Sequence, residues 1–187
     1  DVERSRGLGD VYKRQANILG CTRQFRYSTA NTNTIDMALS VNGIPVVALE
    51  LKNQFAGQDY ICAINQYKND RSSKEFAFRL NHRFLVYFAV DLYEVWMTTQ
   101  LADSNTRFLP FNQGSNGAGV TGGAGNPQNP NGYATSYLWE EVLQRDSLLD
   151  LIHRFISFVK EKEEMVKNGV SRMVTKEKMI FPRYHQY

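Results

Sequence analysis

Residues 34–54 have the sequence TIDMALSVNGIPVVALELKNQ, and this stretch decides the fold of the chain. Apolar and polar side chains alternate over residues 34–41, which is typical of a half-buried strand. The dipeptide Asn42-Gly43 is the strongest short signal for a hairpin turn, and a mainly apolar strand that begins at a proline follows over residues 45–52. The sequence therefore predicts a β-hairpin with a buried second strand.

Charged side chains interrupt this hairpin at three positions. Glu50 and Lys52 share one face of their strand, roughly 6.5–7 Å apart, although burying charge is costly unless the charge is paired or used. With a two-residue turn, Asp36 lies opposite Leu49 and Glu50 points away from it. A loop of odd length or a single bulge, which Gly43 could host, brings both acids to one face. If the two carboxylates act together, the hairpin must contain that extra residue.

The three charges suit metal-dependent phosphodiester chemistry. Two carboxylates on one face, Asp36 and Glu50, can hold Mg²⁺, which neutralises charge on a substrate phosphate. Lys52 can orient the attacking water or stabilise the charge that develops on the phosphate, and Gln66 on the next element could position a water or a phosphate oxygen. From spacing alone, a ladder of salt bridges on a sheet face and an exposed helical amide are the simpler interpretations. The interruption of an apolar strand favours a site.

The rest of the chain supplies further elements of an α/β fold. Apolar residues recur at helical spacing over 58–71, and the continuous apolar run over 84–91 is typical of a central strand buried on both faces. Residues 94–99 are predicted to pair with that strand, and residues 107–111 to add a short edge. An amphipathic helix or helix pair is predicted over 136–160. Asp146 is its expected internal cap. A basic run could contact the DNA backbone or form a solvated face: Lys68, Arg71, Lys74, Arg79 and Arg83.

Composition sets the boundaries of this interpretation. The chain has 187 residues, 42% of them hydrophobic, and a formal net charge of only +3, so nothing in its overall charge argues for nucleic acid. Its two cysteines show neither zinc spacing nor a disulfide framework, which favours a reducing cytosol, and no membrane span or secretory signal is visible.

Residues 1–15 lack apolar periodicity and are interpreted as a non-native leader. Residues 16–160 are expected to form one domain, and residues 161–187 a charged linker.

The one low-complexity stretch is NQGSNGAGVTGGAGNPQNPNG, residues 112–132, with seven glycines. It lacks the Gly-Lys-Ser/Thr ending of a phosphate-binding loop, which argues against an ATP-binding protein that uses this loop. Its composition predicts a long surface loop, and a loop that covers bound DNA is the alternative.

Several stretches in order resemble the N-terminal nuclease domain of the restriction (R) subunit of type I restriction-modification enzymes. They are TIDMALSVNGIPVVALELKNQ, AINQYKNDR, FLVYFAVDLYEVWMTTQL, the glycine-rich region, NPNGYATSYLWEEVLQRDSLLDLIHRF and MIFPRYHQ, within residues 20–187. The resemblance implies a PD-(D/E)xK restriction-endonuclease-like fold, with a central mixed β-sheet flanked by helices, that cuts double-stranded DNA with Mg²⁺.

The resemblance also implies roles for particular residues. Asp36, Glu50 and Lys52 take the positions of the motif's two acids and lysine, and the Leu51 carbonyl would be a further metal ligand. Gln66 and Tyr67 resemble the family's helical glutamine-tyrosine motif. The expected DNA contacts are Lys68, Arg71, Lys74 and Tyr67.

In such enzymes, cleavage follows ATP-driven translocation by a superfamily 2 motor, which is expected to lie outside this sequence, so ATP is expected only in the motor. The implied partners are DNA and the methylase (M) and specificity (S) subunits, and the implied location is the prokaryotic cytoplasm. Two functions stay open: a Mg²⁺-dependent endonuclease domain, and an inactive DNA-binding or docking module of the same fold. The intact Asp36, Glu50 and Lys52 favour the endonuclease.

Overall fold

A computed structural model describes residues 13–114, 124–167 and 170–186. The main sheet has six strands in sequence order: β1 (Leu19–Arg26), β2 (Thr34–Val41), β3 (Ile44–Leu51), β4 (Val86–Val90), β5 (Val95–Thr98) and β6 (Leu109–Pro110). The helices named here are α1 (Tyr60–Asn69) and α2 (Arg145–Asp150); the described residues also contain π-helical turns at Leu138–Val142 and Leu151–Phe155 and 3₁₀ turns at Gln54–Ala56, Phe76–Phe78 and Tyr184–Gln186. This is the predicted mixed sheet of an α/β restriction-endonuclease-like fold.

The strand directions place the end of β3 at the centre of the molecule. β3 and β4 are parallel, and the other neighbouring strands in the main sheet are antiparallel. The connection between the two parallel strands contains α1, which packs against one face of the sheet. Residues that follow β3 therefore emerge between β2, β4 and α1. Such carboxyl ends of parallel strands are where α/β proteins place their sites.

The hairpin of β2 and β3 contains the predicted extra residue. Asn42 and Gly43 form a two-residue turn, both with positive φ (52° and 80°), as a primed hairpin turn requires. The pairing then shifts between Leu39 and Ser40, which leaves Val46 as a bulge on β3. The prediction of an extra residue is confirmed. The prediction that Gly43 hosts this residue is wrong, because Gly43 is part of the two-residue turn.

Two apolar clusters cover the two faces of the sheet. One face packs against α1 through Ala63 and Tyr67, and Asp59 caps the start of α1, because its side chain accepts a hydrogen bond from the Cys62 N–H. The other face packs against the helical turns between residues 138 and 155, through apolar side chains that include Leu138, Val142, Leu148 and Leu151. All five residues of β4 are buried, as predicted for a central strand.

The region that follows differs from the sequence prediction. The helix or helix pair predicted over 136–160 is observed as two helical segments, Leu138–Val142 and Arg145–Phe155, so a single continuous helix is wrong, and the predicted end at residue 160 is wrong because Ser157 begins a strand. Asp146 does not cap a helix, since Gln144 is at the cap position of α2 and makes no side-chain cap hydrogen bond. The apolar stripe is confirmed where it faces the sheet, with Leu148 and Leu149 buried.

The charged segment after residue 156 is a hairpin and not a linker. β7 (Ser157–Lys167) and β8 (Val170–Ile180) form a separate two-stranded antiparallel sheet. Both strands carry many charged side chains, so their sequence lacks the apolar alternation that predicts a strand. The segment after it returns to the main core, where Phe181 contacts the rings of Phe88 and Phe111.

Other sequence predictions fall partly outside the described residues. The leader prediction concerns residues 1–15, of which only 13–15 are described, and Arg14 there forms an ion pair with Asp150 at 2.8 Å. Part of the glycine-rich stretch, residues 115–123, is likewise not described. Over the described ranges, no helix is both long and apolar enough to cross a membrane.

Candidate functional site

The two predicted acids meet on the α1 side of the sheet, at the end of β3. The bulge at Val46 brings Met37 opposite Leu49, so the preceding residue of β2, Asp36, lies beside Glu50. The Asp36 Oδ2 accepts a hydrogen bond from the Leu51 N–H at 2.8 Å, which fixes this carboxylate against the end of β3. A bulge of one residue therefore assembles the pair of carboxylates.

Glu50 is fully buried, and its two carboxylate oxygens differ. Oε1 accepts hydrogen bonds from the Arg71 Nε at 3.1 Å and Nη2 at 2.8 Å, whereas no N–H or O–H group among the described residues donates to Oε2. Burial raises the pKa of Glu50 from 4.5 to about 7; the Arg71 charge lowers it, and the charge of Asp36 and a side-chain hydrogen bond with Asp36 raise it. Buried polar atoms normally have partners, so Oε2 calls for one, either a proton shared with Asp36 or a bound cation.

Lys52 and Gln66 meet on the same side of the sheet. The Lys52 Nζ donates a hydrogen bond to the Gln66 Oε1 at 2.6 Å, and both side chains are half-buried. The backbone N–H of Lys52 donates to the Val90 carbonyl at 2.8 Å, which continues the pairing of β3 with β4. Lys52 thus has a fixed backbone and a side chain held by α1, although its role stays a prediction.

The backbone of Leu51 is turned toward Asp36. The N–H and C=O of one strand residue point toward the same neighbouring strand. Since the Leu51 N–H points toward Asp36, the Leu51 carbonyl lies on that side as well. A polar cleft of about 540 Å³ opens nearby, lined by Thr32, Asn33, Thr34, Gln66, Asp70 and Arg71.

A second layer of residues, which the sequence analysis missed, supports the acids. The Gln24 Nε2 donates to the Asp36 Oδ1 at 3.4 Å, and the Gln24 Oε1 accepts from the Thr34 hydroxyl at 2.7 Å. Gln24 has a φ of 49°, which is uncommon for a residue with a side chain. No signal in the sequence pointed to Gln24, because its importance depends on the register between β1 and β2.

The structure disagrees with two of the predicted DNA contacts. Tyr67 is fully buried, and its hydroxyl donates to the Phe88 carbonyl at 3.3 Å. Arg71 is 4% exposed and bound to Glu50. Neither side chain reaches the surface, because α1 turns both toward the sheet. Lys68 is half-buried and Lys74 exposed, so both stay available as predicted contacts.

The donor atoms at this place fit a hard divalent cation. Burial disfavours the negative charge of Glu50, and a nearby cation would favour it. Asp36, the Glu50 Oε2 and the Leu51 carbonyl supply oxygen atoms alone, as Mg²⁺ prefers. Within the described ranges, no group of three or more His, Cys, Asp or Glu side chains could hold a metal. Mg²⁺ needs only one or two carboxylates, so that finding is compatible with this site.

Comparison with known proteins assigns the chain to a family. Residues 3–106, more than half of the chain, match the family model of the type I restriction enzyme R protein N terminus. The chain belongs to this family. The matched region of the R protein N terminus includes the three charged residues of the hairpin, together with Gln66 on α1.

The comparisons give no closer relative of this R protein N terminus. No curated protein matches the chain, and no solved structure matches it. The predicted membership of a restriction system is confirmed by the family match.

Proposed function

We propose that this R protein N terminus is a Mg²⁺-dependent endonuclease domain that hydrolyses phosphodiester bonds of double-stranded DNA. One observation carries the proposal: the buried Glu50 has an oxygen without a partner on the side of the molecule where Asp36 lies. The ion pair with Arg71 occupies Oε1 alone and leaves Oε2 without a donor. A cation bound between Oε2 and Asp36 would replace the proton that two neighbouring carboxylates otherwise share and would compensate the buried charge.

Each residue has a distinct part in the proposed chemistry. Asp36 and Glu50 would hold Mg²⁺ with the Leu51 carbonyl, and the bound cation would neutralise charge on the scissile phosphate. Lys52 would orient the attacking water or stabilise negative charge that develops on the phosphate. Gln66 holds the Lys52 Nζ at 2.6 Å and so limits the positions that this ammonium can take. The chain supplies fixed charges at fixed places, which is how enzymes stabilise a transition state.

The DNA would contact Lys68, which is half-buried, and Lys74, which is exposed. Such contacts go to the phosphate backbone and carry no sequence information. In the complete R subunit, we propose that cleavage follows ATP-driven translocation by a separate motor domain. Recognition of the DNA site would come from the M and S subunits, in the cytoplasm of a prokaryote.

A nicking assay tests the proposed function. Supercoiled plasmid is incubated with the 187-residue chain and Mg²⁺ or Mn²⁺, and the chain is compared with the variants Glu50→Gln and Lys52→Ala. We expect metal-dependent nicking by the unchanged chain, none by Glu50→Gln, and a loss of about 10²–10³-fold for Lys52→Ala. Lys178→Ala, on the distant β8, is the matched control and should nick at the unchanged rate.

Two outcomes contradict the proposal. Nicking that survives in Glu50→Gln would show that the site is wrongly assigned. A folded chain that nicks no DNA with either metal, alone or assembled with the rest of its enzyme, would favour the docking module.

A further inference from the structure

We propose that Arg71 is a positioning residue: it holds Oε1 of Glu50 so that Oε2 alone is presented to the metal. This inference rests on the proposed function, since it concerns the same pair of carboxylates. Arg71 lies outside the predicted motif and was expected on the DNA instead. Its contacts give it a different task.

Two donor nitrogens of the Arg71 guanidinium bind the same oxygen of the Glu50 carboxylate. Both Nε and Nη2 donate to Oε1 of Glu50, at 3.1 Å and 2.8 Å, and neither donates to Oε2. An arginine that served only to neutralise a carboxylate would be expected to bind both oxygens in parallel, which is the common geometry of such pairs. The one-sided contact fixes the rotation of the carboxylate and leaves its second oxygen free.

Arg71 is itself held from three other sides. Its Nη2 also donates to the Thr34 carbonyl at 2.8 Å, and its Nη1 to the Asp70 carbonyl at 3.4 Å. Its guanidinium lies over the ring of Tyr27, 5.4 Å from the centroid. The side chain therefore joins the start of β2, the end of β3 and the end of α1, and it cannot turn away from Glu50 without breaking these contacts.

The positive charge of Arg71 cannot by itself strengthen the binding of a metal cation. A fixed positive charge near a bound cation repels it, so Arg71 could strengthen metal binding only through orientation of the carboxylate. Residues that orient metal ligands in this way commonly change metal affinity 10- to 100-fold when they are replaced. A variant that keeps the charge and removes the fork separates these two effects.

Arg71→Lys is that variant, because lysine is a compact point charge without a planar fork. Mn²⁺ is titrated into the metal-free chain by calorimetry, and thermal unfolding of each variant is measured without metal. Asp36→Asn serves as the reference without a complete metal site. Tyr87→Phe is the control for a purely structural loss, since it removes a hydrogen bond from a buried hydroxyl to the Phe78 carbonyl in the same apolar cluster.

We expect Mn²⁺ affinity to fall at least tenfold in Arg71→Lys and to stay within twofold of the unchanged chain in Tyr87→Phe. Equal affinity in Arg71→Lys and the unchanged chain would overturn the inference and leave the proposed function intact. If the unchanged chain binds no more Mn²⁺ than Asp36→Asn, the proposed function and the inference both fail.

Should Arg71→Lys not fold, Tyr27→Leu decides the question. This change removes the ring under the guanidinium and keeps both charges of the pair. A threefold or larger loss of Mn²⁺ affinity supports positioning by Arg71, and an unchanged affinity overturns it.

Discussion

The chain uses opposite charges in two contrasting regions, the core beside α1 and the β7–β8 hairpin. In the core, the side chains of Glu50 and Arg71 are 0% and 5% exposed. On the hairpin, three Lys–Glu ion pairs, Lys160–Glu177, Lys176–Glu163 and Lys178–Glu161, have side chains that are 40% to 60% exposed. The residue types are similar, but the surroundings differ.

The difference teaches that burial decides what a charged pair does. Water screens the hairpin pairs, so each contributes little to stability. In the core, removing one partner leaves a charge without compensation in a medium of low polarity. A chain that keeps such a pair gains little stability from it, which is consistent with a functional role for Glu50.

The largest effect is expected when the core pair is broken. At pH 9, above the pKa of about 7 that Glu50 has beside Arg71, Arg71→Met leaves the buried Glu50 without its cation and should lower the free energy of unfolding by about 3–5 kcal/mol. Urea denaturation of the metal-free chain measures this change. Replacing both partners, with Glu50→Leu and Arg71→Met together, should recover most of the loss. A loss below about 1 kcal/mol in the single variant would show that Glu50 is solvated or already neutral without Arg71.

A smaller effect is expected for the buried hydroxyl of Tyr67. Tyr67→Phe removes the hydrogen bond to the Phe88 carbonyl and should cost about 0.5–1.5 kcal/mol of stability. Because the ring is buried, the affinity of the chain for duplex DNA should not change, as measured by fluorescence anisotropy. Weaker DNA binding at unchanged stability would restore the prediction that Tyr67 contacts DNA.

The smallest effect is expected on the hairpin. Lys178→Ala should lower the free energy of unfolding by less than about 1 kcal/mol. A double-mutant cycle of Lys178 with Glu161 at 0.05 M and 1 M NaCl separates the pair from its neighbours, and we expect its coupling to approach zero at high salt. The same cycle for Arg71 with Glu50 should give a coupling energy that changes little between the two salt concentrations. Equal salt dependence in both cycles would remove the distinction between the two regions.

The sequence predicted the part of the site that depends on local pairing. Alternation, the Asn42-Gly43 turn and the need for two acids on one face were enough to require an extra residue in the hairpin. They did not show that Val46 is the bulge, because the choice depends on how β3 packs in the middle of the sheet. Strand-pairing rules predict that one extra residue is inserted in the hairpin, whereas the packing of β3 within the sheet determines the position of that residue.

The partner of Glu50 could not be predicted, since it depends on where α1 ends. Arg71 follows α1, and in the sequence it resembles the neighbouring basic residues Lys68 and Lys74. Only the docking of α1 on the sheet turns it inward. The β7–β8 hairpin was missed for a different reason, because its alternation places charges on exposed strands. The Asn168-Gly169 dipeptide in the sequence was the signal that could have revealed it.

The central claim is that Asp36 and the free oxygen of Glu50 hold one cation. Crystals of the chain grown with Mn²⁺, a cation that takes the same oxygen ligands as Mg²⁺, test it most directly through anomalous scattering. The account predicts one strong peak about 2.1 Å from an Asp36 oxygen, the Glu50 Oε2 and the Leu51 carbonyl, with Arg71 still bound to Oε1. A peak elsewhere, or a Mn²⁺-soaked site with Oε2 still unpartnered, would contradict it.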